Sequence, residues 1–348
     1  MAYTFLNMLF RHKEGIVFLQ KDSSRHYGNI PCVHAALGQS VHSMIISDRE
    51  QKPRNAMRLA RARVLVQDQC SQMVSNMRKS SGTVVVQLWH SGGWYKKVGY
   101  DAPRPGYDLE SERQRILHIH GQTDYMVISD AKLVSSYAKA FRLPEQHVLP
   151  LGLPRTDSLL ARKKEEDRAF LESLYPQLTN KKIFLYAPTW RSDRATGVRR
   201  QPDGPDVAVL RQELDEKWAF CWRSHPTVRS GSVPSGWIDV SNLAQDFCLS
   251  VTDVLVTDYS SILFDFALLE RPCYLFTPDR DNYVARERGL YLEPEEIAPG
   301  AVAVITEELA HVVARGVNVS SSLRLRFMSA CDGGSTARVV NFLQGVAQ

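Results

Sequence analysis

Five short apolar runs in this 348-residue chain each give way to residues able to hold a phosphate or move a proton. TVVVQLW (83–89) is followed by His90, Ser91, Gly92 and Gly93, then by Lys96 and Lys97. An imidazole with an ordinary pKa of about 6.5 suits a general base at neutral pH, and paired glycines let a ligand approach the backbone. A structural histidine is the plainer reading of the same residue. HVLPLG (147–152) leads to Arg155 and Asp157, and KIFLYAP (182–188) to Thr189, Trp190 and Arg191. The two arginines suit phosphate as charge-assisted forks, or they belong to ion pairs at a domain interface. WAFCW (218–222) leads to Arg223, Ser224, His225 and Pro226, a polar loop. DVLVTD (253–258) ends in Asp258, with Tyr259, Ser260 and Ser261 opening the apolar helical stretch ILFDFALLE. Ser260 or Ser261 is placed as an N-cap, and such a helix start offers N–H groups and hydroxyls to a phosphate or simply caps itself. HIH (118–120) and DRD (279–281) have no matching partners as metal ligands, and no Walker loop, nucleophile elbow or GxGxxG is present.

Parallel strands must position these residues. Eleven runs read as strands: 15–20, 43–47, 63–67, 83–89, 124–129, 147–152, 182–188, 218–224, 253–258, 273–278 and 301–306. They are β-branched and continuous, not alternating, as expected of a parallel sheet covered on both faces. Helical patterns at 131–141, 158–174, 206–216, 261–270 and 305–315 lie between them. The expected class is therefore α/β, doubly wound, with ligands beyond the carboxyl ends of the strands. The charged stretch around 155–180 divides the chain into an amino-terminal domain (1–160), a linker helix (161–180) and a carboxyl-terminal domain (181–348).

With 44% hydrophobic and 23% charged residues the chain has the make-up of a folded protein, not of a disordered tail or a disulfide scaffold. No run of about 18 apolar residues predicts a membrane span, and no secretory leader is expected. The six scattered cysteines read as buried thiols of a reducing compartment. The net charge of +5 is uneven: residues 1–180 carry +8 and residues 181–348 carry −3. Residues 51–100 hold nine basic residues against Asp68 alone, with Arg54, Arg58, Arg61 and Arg63 close together. That surplus favours a phosphate or an anionic membrane surface; no zinc-finger or RNP-like pattern supports nucleic acid.

Assembled, these segments resemble the CDP-glycerol glycerophosphotransferase family of teichoic acid and capsule biosynthesis. FLQKDSSRHYGNI, QLWHSGGWYKKVGYD, LGLPRTD, LYAPTWR, RSHP and DGGSTARVV match its segments in order, and DVLVTDYSSILFDFALLERPCYLF is the most specific. The family usually reads Trp-His-Gly-Thr-Pro where this chain reads Trp89-His90-Ser91-Gly92-Gly93. The resemblance implies a GT-B-type fold, two Rossmann-like domains facing a cleft, with the donor on the carboxyl-terminal one. It implies His90 as base and His225 on the donor phosphates. Thr189, Arg191, Arg223, Asp258, Ser260 and Ser261 would bind the donor, and Lys96, Lys97, Arg155 and Asp157 would line the acceptor side or the hinge. It implies a CDP-activated polyol as donor, a lipid-linked glycan or growing polymer as acceptor, and no resident cofactor or metal. Nucleic acid is not expected as a partner. The basic first half would then rest on anionic lipids of the inner leaflet, which implies a cytoplasmic, peripheral enzyme.

Overall fold

The computed structural model describes residues 14–20, 28–38, 42–47, 53–193, 198–228 and 233–348, which divide into two units. Part of the opening motif, residues 21–27, lies outside the described residues. Unit 1 comprises residues 1–91, 98–158 and 329–348. Its strands are β1 (Ile16–Gln20), β2 (Ser43–Ser47), β3 (Val64–Gln67), β4 (Val84–Gln87), β5 (Tyr125–Val127) and β6 (Val148–Leu149). They pair in the order β2-β1-β3-β4-β5-β6, all parallel. Successive side chains point to opposite faces of a strand. Ile16, Phe18, Val64, Val66 and Val86 therefore pack on one face, against helix Asn29–Leu37 and Val339, Val340 and Leu343 of the last helix. Val17, Leu19, Leu65 and Val85 pack on the other, with Leu59, Val74 and Met77. Two covered faces explain why these strands read as continuous apolar runs.

Unit 2 comprises residues 92–97 and 159–328. Its strands are β7 (Lys182–Tyr186), β8 (Arg191–Ser192), β9 (Arg199–Arg200), β10 (Trp218–Trp222), β11 (Ile238–Asp239), β12 (Val254–Thr257), β13 (Cys273–Phe276) and β14 (Val302–Ala303). The main sheet is parallel in the order β11-β10-β7-β12-β13-β14, and β8 and β9 form a separate antiparallel pair. Leaving that hairpin aside, the order is 3-2-1-4-5-6, the dinucleotide-binding arrangement. Phe184, Tyr186, Phe220, Trp222 and Trp237 form an aromatic cluster, with the Trp222 and Trp237 rings 5.4 Å apart at 82°. Each unit is a doubly wound α/β layer structure, as expected for the GT-B class.

All eleven expected strands form, in both units. The expected domain limits need correction in three places. Residues 161–180 are not a free linker: helix Lys164–Leu174 belongs to unit 2. Arg162 bonds Asp167 at 2.6 Å and Asp246 at 3.0 Å, and Lys164 bonds Asp253 at 2.7 Å, so the charged surface of that stretch is spent on its own unit. The helical pattern over 158–174 is two helices, Pro154–Leu160 and Lys164–Leu174. Finally, residues 329–348 rejoin unit 1 and residues 92–97 join unit 2, so neither unit is continuous in sequence.

Candidate functional site

In an open parallel sheet, ligands sit beyond the carboxyl ends of the strands where the winding order reverses. In unit 2 that point lies between β7 and β12, with β10 on the other side of β7. Thr189 and Arg191 follow β7, Arg223 and His225 follow β10, and Asp258, Ser260 and Ser261 follow β12. Asp258 is fully buried and ties two of these ends together. Its Oδ1 accepts the backbone N–H of Thr189 at 2.8 Å and that of Tyr259 at 2.6 Å, while Oδ2 pairs with Arg191 Nη2 at 2.9 Å. Arg191 also bonds Asp279 at 2.7 Å through Nε, donates to the Thr189 carbonyl at 2.7 Å, and lies 4.9 Å from the Tyr283 ring centre. Its fork is filled by carboxylates of its own unit. Arg191 is thus part of the frame, and the alternative of an ion pair between domains gives way to one within unit 2.

Thr189 is 94% removed from solvent by its 6% exposure, and its Oγ1 is buried with no hydrogen-bond partner among the described residues. The Nε of Arg223, a residue 8% exposed, is in the same position. Buried polar atoms are normally paired, so these two strand-end atoms have hydrogen-bonding capacity left over for a further partner. His225 is half-buried. Its Nδ1 accepts the Thr227 N–H at 3.2 Å and lies 2.8 Å from Thr227 Oγ1, so in the neutral ring Nε2 carries the proton. Burial, and then the positive charges of Lys96, Arg199 and Arg223, hold its pKa down to about 4. The ring is therefore neutral at pH 7 and serves as a hydrogen-bond donor in a strongly positive field.

The helix after Ser261 departs from expectation. It spans Ile262–Ala267, six residues, and its early N–H groups are engaged: Ile262 with Ser260 Oγ at 3.3 Å, Leu263 with the Ser260 carbonyl at 3.4 Å, Phe264 with that of Ser261 at 3.1 Å. Ser260, not Ser261, supplies the side-chain cap. The helix start contributes little as an anion cradle, and the two hydroxyls, both half-buried, are its usable groups.

Lys96 and Lys97 were expected on the acceptor side, but both join unit 2 through residues 92–97. Lys96 bridges to Leu290 in antiparallel fashion, the Lys97 N–H donates to Gly289 at 2.9 Å, the Tyr291 N–H donates to Tyr95 at 2.8 Å, and the Trp94 and Tyr291 rings stack at 3.9 Å. Gly93 has φ +65°, and a Cβ there would meet the Phe264 ring at 2.5 Å; one on Gly92 would meet Met328 Sδ at 2.7 Å. Both glycines thus sit where the backbone closely approaches side chains of unit 2. Lys96 is half-buried, and burial, with Arg288 and Arg191 opposing and Asp258 supporting its charge, lowers its pKa to about 7.

In unit 1, His90 is exposed beyond β4, and its Nδ1 lies 3.2 Å from the Asp68 carbonyl after β3. A carbonyl can only accept, so Nδ1 holds the proton and Nε2 presents a lone pair. Trp89, just before it, has φ +56°, a rare value for a bulky residue. Asn29 holds that turn: its Nδ2 donates to the Trp89 carbonyl at 2.5 Å, and its Oδ1 accepts the Arg155 N–H at 3.0 Å. Sequence reasoning missed Asn29 as a functional residue, although it lies in the quoted opening motif; nothing local marks an asparagine whose partners are 60 and 126 positions away.

Two further expected residues, Arg155 and Asp157, lie within unit 1. Arg155 is 4% exposed and lies within unit 1 beside Asn29, not on an open surface. Asp157 accepts the N–H groups of Ser335 at 3.2 Å and Thr336 at 2.6 Å, capping the last helix, so its carboxylate is structural.

Comparison with known proteins agrees with this arrangement. The family described as CDP-glycerol:poly(glycerophosphate) glycerophosphotransferase matches residues 16–345. The teichoic acid ribitol-phosphate primase of Bacillus spizizenii is 31% identical over 299 residues, covering 82% of this chain and 75% of that protein. The teichoic acid glycerol-phosphate primase of Bacillus subtilis is 26% identical over 291 residues, covering 82% and 74%. The structure of the wall teichoic acid polymerase TagF superposes with a TM-score of 0.81 at 19% identity, covering 99% of this chain and 93% of that one, and so shares the fold. With a match that runs through both units and every strand-end motif, this chain belongs to the CDP-glycerol:poly(glycerophosphate) glycerophosphotransferase family.

Proposed function

We propose that the chain transfers glycerol phosphate from CDP-glycerol to a hydroxyl of a lipid-linked glycan or polyol-phosphate acceptor, releasing CMP. The observation that carries this reading is the buried, unmatched Thr189 hydroxyl at the switch point of unit 2, with Arg223, His225 and Ser260 on the adjoining strand ends. Hydrogen-bond donors and positive charge gathered at such a point suit a diphosphate. In the reaction the acceptor oxygen bonds to the β-phosphorus, and the bond from that phosphorus to the bridging oxygen breaks. The electron pair leaves with CMP, and the hydroxyl proton passes to Nε2 of His90. Arg223, the His225 Nε2–H and the hydroxyls of Ser260 and Ser261 would meet the charge that grows on CMP. Asp258 and Arg191 hold Thr189 in place.

A second reading, ribitol phosphate from CDP-ribitol, is favoured by the 31% identity to a ribitol-phosphate primase. CMP release is to be followed with CDP-glycerol, CDP-ribitol and a nucleotide sugar over a lipid-linked disaccharide. The proposal expects turnover with CDP-glycerol, a fall of about 10²–10⁴-fold in kcat for His90→Ala, and a smaller fall for Ser260→Ala. Turnover with CDP-ribitol alone selects the second reading. Consumption of the nucleotide sugar alone, or binding of cytidine nucleotides with no turnover, overturns both, and full activity in His90→Ala removes the base.

For the acceptor we infer an approach from a membrane surface at the inner leaflet. Arg54, Arg58 and Arg61 form an exposed row on helix Pro53–Arg61, with the 47% exposed Met57 among them. No helix among the described residues is long and apolar enough to cross a membrane.

A further inference from the structure

The amino-terminal half of the chain gives unit 2 a segment of its own, residues 92–97, fixed by a bridge to Leu290, by backbone bonds to Gly289 and Tyr291, and by glycines pressed against Phe264 and Met328. Its middle carries Tyr95 and Lys96. Tyr95 is 3% exposed, and its hydroxyl has no hydrogen-bond partner among the described residues, although it lies within electrostatic reach of Asp258 and Tyr283. Lys96 lies within reach of Asp258, Arg191, Arg288 and His225. Among the described residues it makes no ion pair, because Asp258 is already bonded by Arg191 and by the N–H groups of Thr189 and Tyr259. A half-buried ammonium with no ion pair among the described residues, within electrostatic reach of Arg288 and Arg191, gains a counter-charge of its own when an anion enters.

We propose that Lys96 is a donor-binding residue that contacts the diphosphate, so that the donor site of unit 2 is incomplete without a segment from the other half of the chain. This rests on the reading of that site as a diphosphate site. It reverses the expected placement of Lys96 on the acceptor side and assigns it a part separate from that of Lys97, which lies along Gly289.

The test is calorimetric binding of CDP-glycerol, UDP-glucose and cytidine to the full chain and to Lys96→Met, Lys96→Arg and, as a control, Lys139→Met on the exposed face of helix Val134–Phe141. Lys96→Met is expected to weaken the nucleotide diphosphate that binds by about tenfold or more, the usual scale of a lost charge-assisted bond. Cytidine affinity in Lys96→Met, and diphosphate affinity in Lys139→Met, are expected to stay at the wild-type level. Equal diphosphate affinity in Lys96→Met overturns the proposal. If UDP-glucose binds in place of CDP-glycerol and still depends on Lys96, the inference stands while the donor assignment falls. If neither diphosphate binds the folded wild type, both fall.

Should Lys96→Met fail to fold, pH decides the question. The diphosphate of CDP-glycerol has no proton to lose near neutrality, and His225 is already neutral there. Asp258, Arg191 and Arg288 also face Lys96; carboxylates hold Arg191, and burial holds Tyr95, well above this range. Wild-type affinity should therefore decline as pH rises above about 7, the value to which Lys96 is lowered, while Lys96→Arg stays flat. A flat wild-type profile overturns the proposal.

Discussion

Asn29 sets the geometry of the proposed base without touching any reacting atom. Its side chain spans two strand ends, and the carbonyl it holds belongs to Trp89 in the left-handed region. Replacing it by alanine leaves that carbonyl and the Arg155 N–H without a partner in a site 1% exposed, a cost of about 1–3 kcal/mol. Asn29→Ala should lower kcat while leaving the affinity for CDP-glycerol at the wild-type level, because His90 is displaced and the donor site of unit 2 is not. Parallel kcat and calorimetric measurements check this; an equal loss in donor affinity would contradict it.

Two histidines make stability depend on pH in a defined window. Burial, aided by the nearby positive charge of Arg115, lowers His120 to about 4, and burial with neighbouring cations does the same to His225. Each takes up its proton more readily in the unfolded chain, near 6.5, than in the native one. Unfolding therefore binds protons between about pH 4 and 6.5, and stability must fall as pH drops through that range. Urea midpoints across it should decline, and replacing His120 by Gln should flatten part of the slope.

At the level of elements, the fold relies on short segments clamped by single side chains. Asp157 caps helix Ser335–Ala347, and Val339, Val340 and Leu343 of that helix complete one face of the first sheet. Loss of a cap of this kind costs about 1–2 kcal/mol, so Asp157→Ala should lower the urea midpoint with no change in donor affinity. The 92–97 segment depends instead on close approach. Gly93→Ala demands both a strained φ and a shift of the Phe264 ring. It should destabilise the protein by roughly 1–3 kcal/mol and weaken donor binding, since it lifts the segment that carries Lys96.

For the molecule as a whole, connectivity is the main consequence. A cut at residue 180, where the sequence suggests a domain boundary, separates the first sheet from the helix that covers it and leaves an apolar face bare. Fragments 1–180 and 181–348 should each be insoluble or molten when expressed alone, and near-ultraviolet circular dichroism of the two would show it. Charge acts at the same scale. If Arg54 and Arg58 of that row meet an anionic bilayer, each contributes about 1 kcal/mol, less from Arg61 because it pairs with Glu14, and vesicle binding should weaken with salt. Arg54→Glu with Arg58→Glu should abolish it while leaving turnover on a soluble acceptor intact, and flotation with anionic and neutral vesicles measures the difference.

The strands were legible from local pattern alone, because a strand buried on two faces must be apolar along its whole length. The strand ends were legible for the same reason: in an open parallel sheet ligands sit beyond the carboxyl ends, which singles out the residues after Tyr186, Trp222 and Thr257. Local pattern also identified a boundary near 155–180 but not which pieces cross it. Asp157 capping a helix 178 residues away, Asn29 reaching Trp89, and Lys96 joining unit 2 are contacts between segments remote in sequence. Hydrophobic period and turn chemistry reach only a few residues along the chain. Which polar group satisfies which distant partner is decided when the sheets close, and that is where Arg191 was tied to Asp258 and Asp279 and Lys96 was set beside Leu290.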